Sequence, residues 1–130
     1  MLPVKRNWLK ILIVDDEQTI TNTLCMIFEF RGFDCLKAYD AEQALEIALA
    51  TPPDLLLADV MLPGMNGIQL AILLGKRIPA IETILLSGQA GTAQLLEASK
   101  AEGYDFDILA KPVHPAELIE YVSRRLNLKD

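Results

Sequence analysis

The chain has 130 residues, 52% of them hydrophobic and 23% charged, with a formal net charge of −6. These values are typical of one ordered globular domain and exclude intrinsic disorder and collagen-like structure, so we predict a single domain over residues 1–130 and no second domain in this chain. The acidic balance disfavours direct DNA binding, and no apolar run exceeds five residues, too short for a membrane span.

Five apolar segments of strand length recur along the chain, each ending at a polar or turn residue. They are residues 8–14, 34–38, 55–58, 81–86 and 108–110. Several are too continuously apolar for a sheet with one exposed face. This pattern favours a parallel sheet that is covered on both sides.

Segments of helix length alternate with these strands. They are residues 18–31, 41–50, 68–76, 92–102 and 115–126. Gly32 follows the first helix, and Asp40 with Gln43 forms a capping-box pattern at the start of the second. Strand–helix alternation with short connections predicts an α/β fold, a doubly wound five-stranded parallel sheet with five helices on its two faces.

The cysteines and the N-terminus indicate the cellular setting. Cys25 and Cys35 lie at apolar-patterned positions without CxxC spacing, and we expect them to be buried thiols. The N-terminal apolar stretch is interrupted by Lys10, so no signal peptide is predicted. We therefore expect a cytoplasmic protein.

Polar side chains follow the predicted strands where each strand ends. Asp15 and Asp16 follow the first, Asp59 follows the third, Ser87 the fourth and Lys111 the fifth. Ligands of doubly wound sheets bind at the carboxyl ends of the strands, near the point where the strand order reverses. With the strand order 2-1-3-4-5, the three aspartates share one pocket.

Three carboxylates in one pocket repel each other and need a compensating charge. Mg²⁺ is the natural candidate, because it prefers carboxylate oxygens and completes its shell with water and phosphate oxygens. Lys111 and Ser87 offer an ammonium and a hydroxyl to a phosphoryl group. Asp59 stands alone at its strand end and is the predicted nucleophile, whereas Asp15 and Asp16 form a metal cradle.

Four segments together resemble the receiver domain of two-component response regulators, and the resemblance covers nearly the whole chain. They are residues 11–17 (ILIVDDE), 59–67 (DVMLPGMNG), 86–88 (LSG) and 109–112 (LAKP). The resemblance implies a CheY-like, flavodoxin-like fold. It also implies that Asp59 is the phosphoacceptor, that Asp16, Asp59 and the Met61 carbonyl bind Mg²⁺, and that Asp15 assists through water.

The resemblance further implies a switch next to the phosphoacceptor. Lys111 would contact the phosphoryl oxygens, Ser87 would move toward them, and the peptide before Pro112 would be cis. The family has an aromatic residue three positions before the lysine, where this chain has Ile108. Phe106 lies on the same strand face and is a candidate replacement if the strand extends that far.

Two further features distinguish this chain. Residues 68–74 are apolar on almost every side of the third helix, which indicates either a contact face for another domain or subunit or surplus apolar side chains tolerated at the surface. Met61 has neither an acid nor an amide to position an attacking water. We therefore expect slow self-dephosphorylation.

The resulting prediction is a phosphorylation-dependent signalling protein rather than a conventional enzyme. It would assist its own Mg²⁺-dependent phosphorylation and dephosphorylation. Its partners would be a sensor histidine kinase or histidine phosphotransfer protein and a downstream protein target, with no nucleic acid or membrane, and a second copy of the chain is a further candidate. The alternatives are a receiver-fold interaction module that is never phosphorylated and a small phosphatase with an aspartate nucleophile.

Overall fold

The computed structural model describes residues 9–88 and 92–127. The five strands are β1 (Lys10–Val14), β2 (Asp34–Ala38), β3 (Leu55–Asp59), β4 (Glu82–Ser87) and β5 (Asp107–Ala110). The five helices are α1 (Gln18–Phe30), α2 (Ala41–Ala50), α3 (Gly67–Arg77), α4 (Thr92–Ala101) and α5 (Pro115–Arg125).

The strands form one parallel sheet in the order β2-β1-β3-β4-β5, which confirms the predicted fold class. Each helix begins and ends within one residue of its predicted position. The first strand is shorter than expected, because it begins at Lys10 and leaves Leu9 outside it. The predicted strand residue Trp8 lies outside the described residues.

The sheet is buried on both faces, as its continuously apolar strands predict. Alternate residues of a strand point to opposite faces, so Leu12 and Leu56 pack in the layer formed with α2 and α3. Ile11 and Leu55 pack in the layer formed with α1 and α5. These four side chains are fully buried, and each contributes roughly 1.5–3 kcal/mol by leaving water.

The apolar third helix is largely covered within the domain. Ile68, Leu70 and Leu74 of α3 are buried, and Ile72 is partly buried. Leu73 is the exposed large apolar residue of this helix, at 37%. The structure therefore favours the second interpretation of this helix, a surplus apolar side chain tolerated at the surface.

The expectation of two separate thiols is wrong. Cys25 on α1 and Cys35 on β2 form a disulfide, with their Cα atoms 5.5 Å apart. The chain reverses direction between them at Gly32, whose φ of 92° is in the left-handed region. The reversal lays α1 against β2, which a sequence separation of ten does not reveal by itself.

The helices of the described ranges are short relative to a lipid bilayer. Among residues 9–88 and 92–127, no helix is both long enough and apolar enough to cross a membrane.

Candidate functional site

The three predicted acidic residues lie together at the carboxyl end of the sheet. β1 and β3 are neighbours, and Val14 of β1 is paired with Ala58 of β3. The next residue of each segment, Asp15 and Asp59, therefore lies beside the other. Ligand oxygens of Asp15, Asp16 and Asp59 all lie within 4.8 Å of one another. The structure therefore brings these carboxylates into one cluster.

Asp15 is held rigidly at the base of this cluster. Its side chain is 2% exposed, and its Oδ1 accepts a hydrogen bond of 2.9 Å from the backbone N–H of Glu17. Its backbone N–H donates to Ala38 across the sheet, and its carbonyl accepts from the hydroxyl of Thr21 at 3.0 Å. With Oδ1 fixed in this way, Oδ2 of Asp15 faces Lys111.

Lys111 neutralises part of the cluster. Its Nζ lies 2.9 Å from Oδ2 of Asp15 and 2.9 Å from Oδ2 of Asp59. Burial alone lowers the pKa of Lys111, but hydrogen bonds and charge attraction from the two aspartates outweigh burial and raise that pKa above its ordinary value. The lysine therefore stays protonated across the neutral range.

Gly88 and Ser87 set the path of the lysine. A Cβ on Gly88 would lie 3.4 Å from Cβ of Lys111, so the lysine stem runs alongside this glycine. The backbone N–H of Lys111 donates to the carbonyl of Ser87 at 2.9 Å. Ser87 ends β4 and pairs with Ala110 of β5, the residue before Lys111. Ser87 therefore lies beside the lysine.

Asp59 is the carboxylate at the end of the central strand. It is 8% exposed, and its two oxygens have different partners. Oδ1 accepts from the backbone N–H of Met61 at 3.2 Å, and Oδ2 accepts from Lys111. The side chain of Met61 itself is 43% exposed and lies at the rim of the site.

The loop after Asp59 requires a glycine where α3 begins. A Cβ on Gly67 would overlap the carbonyl oxygen of Asp59 and lie 3.1 Å from Cα of Val60. The N–H of Gly67 donates to the carbonyl of Val60 at 2.9 Å. Asn66 caps the helix in a capping box with Gln69. Residue 67 therefore sets the distance between α3 and the end of β3, where Asp59 lies.

Two residues of the predicted switch, Ile108 and Phe106, lie on and before β5, whereas Ser87 ends β4. Ile108 is within the strand and partly buried, whereas Phe106 precedes the first strand residue, Asp107. The condition that the strand extends to Phe106 is therefore not met, because the chain leaves the sheet there and the Phe106 ring stacks on Tyr104. The Lys111–Pro112 peptide is cis.

The sequence did not reveal the roles of Thr21 and Gly67. The hydroxyl of Thr21 donates to the backbone carbonyl of Asp15, six residues earlier in the chain. No local sequence pattern predicts that contact. Gly67 carries a weak signal, because a glycine that directly follows an asparagine cap indicates a close backbone approach.

The cluster has the chemistry of a cation and phosphoryl site. Three carboxylates and one ammonium leave an excess of two negative charges when all are ionised, and carboxylate oxygens are the ligands that Mg²⁺ prefers. Asp16 is exposed and reachable from solvent. The donor set therefore fits Mg²⁺.

A doubly wound parallel sheet with this acidic cluster and lysine at its carboxyl edge defines a phosphoacceptor signalling domain. Residues 11–123 match the family model described as the response regulator receiver domain. The chain belongs to the response regulator receiver family.

Known relatives agree with this assignment. The chain is 32% identical over 121 residues to the DNA-binding response regulator MtrA of Mycobacterium tuberculosis, which is 93% of this chain and 52% of the relative. It is 36% identical over 112 residues to the phosphate regulon transcriptional regulatory protein PhoB of Pseudomonas aeruginosa, 84% of this chain and 48% of the relative. The chain thus spans about half the length of these relatives.

A solved structure gives the same result. The CheY-like response regulator receiver domain protein from Methanospirillum hungatei superposes with a TM-score of 0.83 at 29% identity, covering 93% of this chain and 95% of that one. The chain is therefore a phosphoacceptor domain of two-component signalling and not a conventional enzyme, and a receiver-fold module that is never phosphorylated is not favoured.

Proposed function

We propose that Asp59 accepts a phosphoryl group from the phosphohistidine of a sensor histidine kinase or a histidine phosphotransfer protein. One observation carries this assignment: Asp59 Oδ2 lies 2.9 Å from the Lys111 ammonium, inside a cluster with the carboxylates of Asp15 and Asp16. Asp15 makes the same contact with Lys111, and both oxygens of each carboxylate accept a hydrogen bond, so the choice between them rests on exposure: Asp15 is 2% exposed and Asp59 is 8% exposed. Asp16 is exposed and lies outside the lysine contact.

Asp15, Asp16 and Asp59, together with the carbonyl of Met61, would hold Mg²⁺. When bound, the ion supplies positive charge to the phosphoryl oxygens and offsets the repulsion among the carboxylates. The tight spacing of the three carboxylates supports this ligand set.

The transfer step forms one bond and breaks another. A carboxylate oxygen of Asp59 attacks phosphorus while the N–P bond of the donor breaks, and the electron pair of that bond returns to the imidazole nitrogen. Lys111 stays protonated and stabilises the negative charge on the phosphoryl oxygens, a role supported by its raised pKa. In this way the domain assists its own phosphorylation.

The response begins at Ser87. Its hydroxyl donates to a phosphoryl oxygen on Asp59, which draws the carboxyl end of β4 toward the site. Ile108 occupies the position that carries an aromatic ring in the family. The rearrangement therefore proceeds without rotation of an aromatic side chain at that position.

The output is a changed protein contact. A net charge of −6 gives this domain no general attraction for nucleic acid, and DNA binding is named for relatives of which the chain matches only half. We propose a protein target for residues 1–130, which act as one receiver domain. Absence of a mobility shift with duplex DNA at low salt is the expected result.

The deciding experiment is intact mass after incubation with acetyl phosphate and Mg²⁺. One phosphoryl is expected on the wild type and on Asp105→Asn, a matched control at an exposed carboxylate of the loop before β5. None is expected on Asp59→Asn or in the presence of EDTA. A phosphoryl adduct on Asp59→Asn of the same yield as wild type would overturn the assignment of the acceptor.

A further inference from the structure

The disulfide joins the inner face of α1 to the edge strand β2. Cys25 is 3% exposed and belongs to the apolar layer formed with α1 and α5, whereas Cys35 is only partly buried. The two cysteines therefore differ in solvent exposure, and Cys35 is the partner that a reagent from solvent is expected to meet first.

Hydrogen bonds join α1 to β2 on the side of the disulfide nearer to the carboxyl end of the strand. Asn22, which precedes Cys25 by three residues and lies on the same side of α1, accepts from Nζ of Lys37 at 3.1 Å and from the Tyr39 hydroxyl at 3.3 Å. Residues 35, 37 and 39 alternate along β2 and its extension, so they face the same helix. These exposed hydrogen bonds are weak in water, so besides apolar packing the disulfide is the strongest described link between α1 and β2.

We propose that Cys25 and Cys35 are a reversible redox site, a dithiol–disulfide pair that exchanges with small disulfides of the glutathione class and locks α1 to β2 when oxidised. The proposal is independent of phosphorylation at Asp59. It rests on the Cα separation of 5.5 Å, which is suited to a disulfide, and on the unequal exposure of the two cysteine residues.

The exchange balances in two steps. The Cys35 thiolate attacks one sulfur of glutathione disulfide, the S–S bond of that molecule breaks, and one glutathione leaves as a thiolate. The Cys25 thiolate then attacks the Cys35 sulfur of the mixed disulfide and expels the second glutathione. Two protein thiols are oxidised, one glutathione disulfide is reduced to two glutathiones, and the two protons pass to the departing thiolates.

Oxidation is expected to stabilise the domain through the unfolded chain. Closing a loop over a separation of ten residues restricts the unfolded ensemble. For a domain of this size, we expect the melting temperature of the oxidised form to exceed that of the reduced form by about 10 °C.

The test equilibrates the full chain in a series of glutathione buffers, blocks free thiols by alkylation, and reads the number of blocked cysteines by intact mass. We expect both cysteines to change together, from two blocked to none, with the melting temperature following the same transition in both directions. Cys35→Ser and Cys25→Ser should each lose the redox dependence of the melting temperature. The Cys35→Ser variant alters the more exposed partner and is expected to fold even if Cys25→Ser does not.

Three outcomes overturn the proposal. They are a stable mixed disulfide with glutathione at Cys35, a disulfide between two chains, and a pair that glutathione cannot reduce while the domain remains folded. The last result would define a permanent structural bridge rather than a redox site.

Discussion

Lys111 and Asp59 form an ion pair of 2.9 Å although Lys111 follows β5 and Asp59 ends β3, two strands that do not touch. β4 lies between them, and the lysine stem passes alongside Gly88, the residue after that strand. A Cβ at residue 88 would make van der Waals contact with this stem, 3.4 Å from Cβ of Lys111, so the stem runs close beside the backbone there. One ammonium thereby joins the carboxyl ends of three strands and holds the Asp59 carboxylate in place.

Replacement of Lys111 by methionine is expected to destabilise the domain and impair phosphorylation. The change leaves the buried Asp15 carboxylate without its cation, which costs about 1–3 kcal/mol. Phosphorylation by acetyl phosphate should slow by roughly tenfold or more, because the phosphoryl oxygens lose a donor. Urea unfolding and a time course of intact mass measure the two effects. Lys76→Met, an exposed lysine of α3, is the control, and equal behaviour of the two variants would contradict the role assigned to Lys111.

The acidic cluster predicts opposite effects of Asp16→Asn with and without Mg²⁺. In EDTA this variant should be more stable than the wild type by about 0.5 kcal/mol, because it removes a like charge from an exposed position. With Mg²⁺ the wild type should gain melting temperature, and the variant should lose most of that gain. Asp105→Asn should respond to the ion as the wild type does. A full Mg²⁺ response in Asp16→Asn would argue against Asp16 as a ligand.

Two glycines of α3 provide a matched pair of substitutions. Gly67→Ala should destabilise the domain by more than about 2 kcal/mol, because the new methyl group overlaps the backbone of Asp59. Gly75→Ala should stabilise it by about 0.5–1 kcal/mol, since nothing lies within 4 Å of its added Cβ and alanine favours the helix. Chemical denaturation of both variants tests this. A similar gain in the two variants would mean that helix propensity, and not contact with Asp59, decides the effect of alanine at residue 67.

The raised pKa of Lys111 predicts loss of stability at alkaline pH. Burial alone lowers this pKa, but the hydrogen bonds and charges of Asp59 and Asp15 reverse that effect, so the folded state holds the proton more tightly than the unfolded state. The stabilisation is complete below the ordinary pKa of 10.5 and is lost as pH rises through the folded value. Burial and a hydrogen bond to Asp107 raise the pKa of Tyr121, which acts in the same direction.

The contribution of Lys111 to this pH dependence is obtained by subtracting the unfolding free energy of Lys111→Met from that of the wild type. Unfolding free energies of the wild type and Lys111→Met, measured between about pH 9 and 11, should converge as the pH rises. Tyr121→Phe, studied in the same range, removes the tyrosine contribution from both curves. A constant difference between wild type and Lys111→Met would show that the ion pairs do not depend on the lysine proton.

Met61 predicts a long-lived aspartyl phosphate. Its thioether side chain lies at the rim of the site and has no group that orients an attacking water. Met61→Asn supplies an amide there and should speed hydrolysis about tenfold. Loss of the phosphoryl mass after removal of acetyl phosphate measures the rate, with Leu49→Asn, a similarly exposed residue of α2, as the control. An unchanged or slower decay in Met61→Asn would contradict this account.

Much of the fold was predictable because its signals are local. Continuous apolar runs, helix-length segments, Asp40 as a cap and Gly32 as a stop each reflect interactions within a few residues, and they place every helix end within one residue. The carboxylates were predictable for a related reason. Parallel strands bring their carboxyl ends to one edge, so Asp15 and Asp59 meet once the order of strands is known.

The tertiary structure alone decided what depends on distant segments meeting at fixed angles. The bond between Cys25 and Cys35 follows from how closely α1 packs on β2, and the separation of Phe106 from the sheet follows from where β5 can begin to pair with β4. The contacts of Lys111 with two aspartates depend on the path of its stem past Gly88. By itself, the amino-acid sequence determined the order of elements and the chemical identity of the site, because these depend on short-range patterning. Distances, partners and exposure were set only when packing brought residues far apart in the chain into contact.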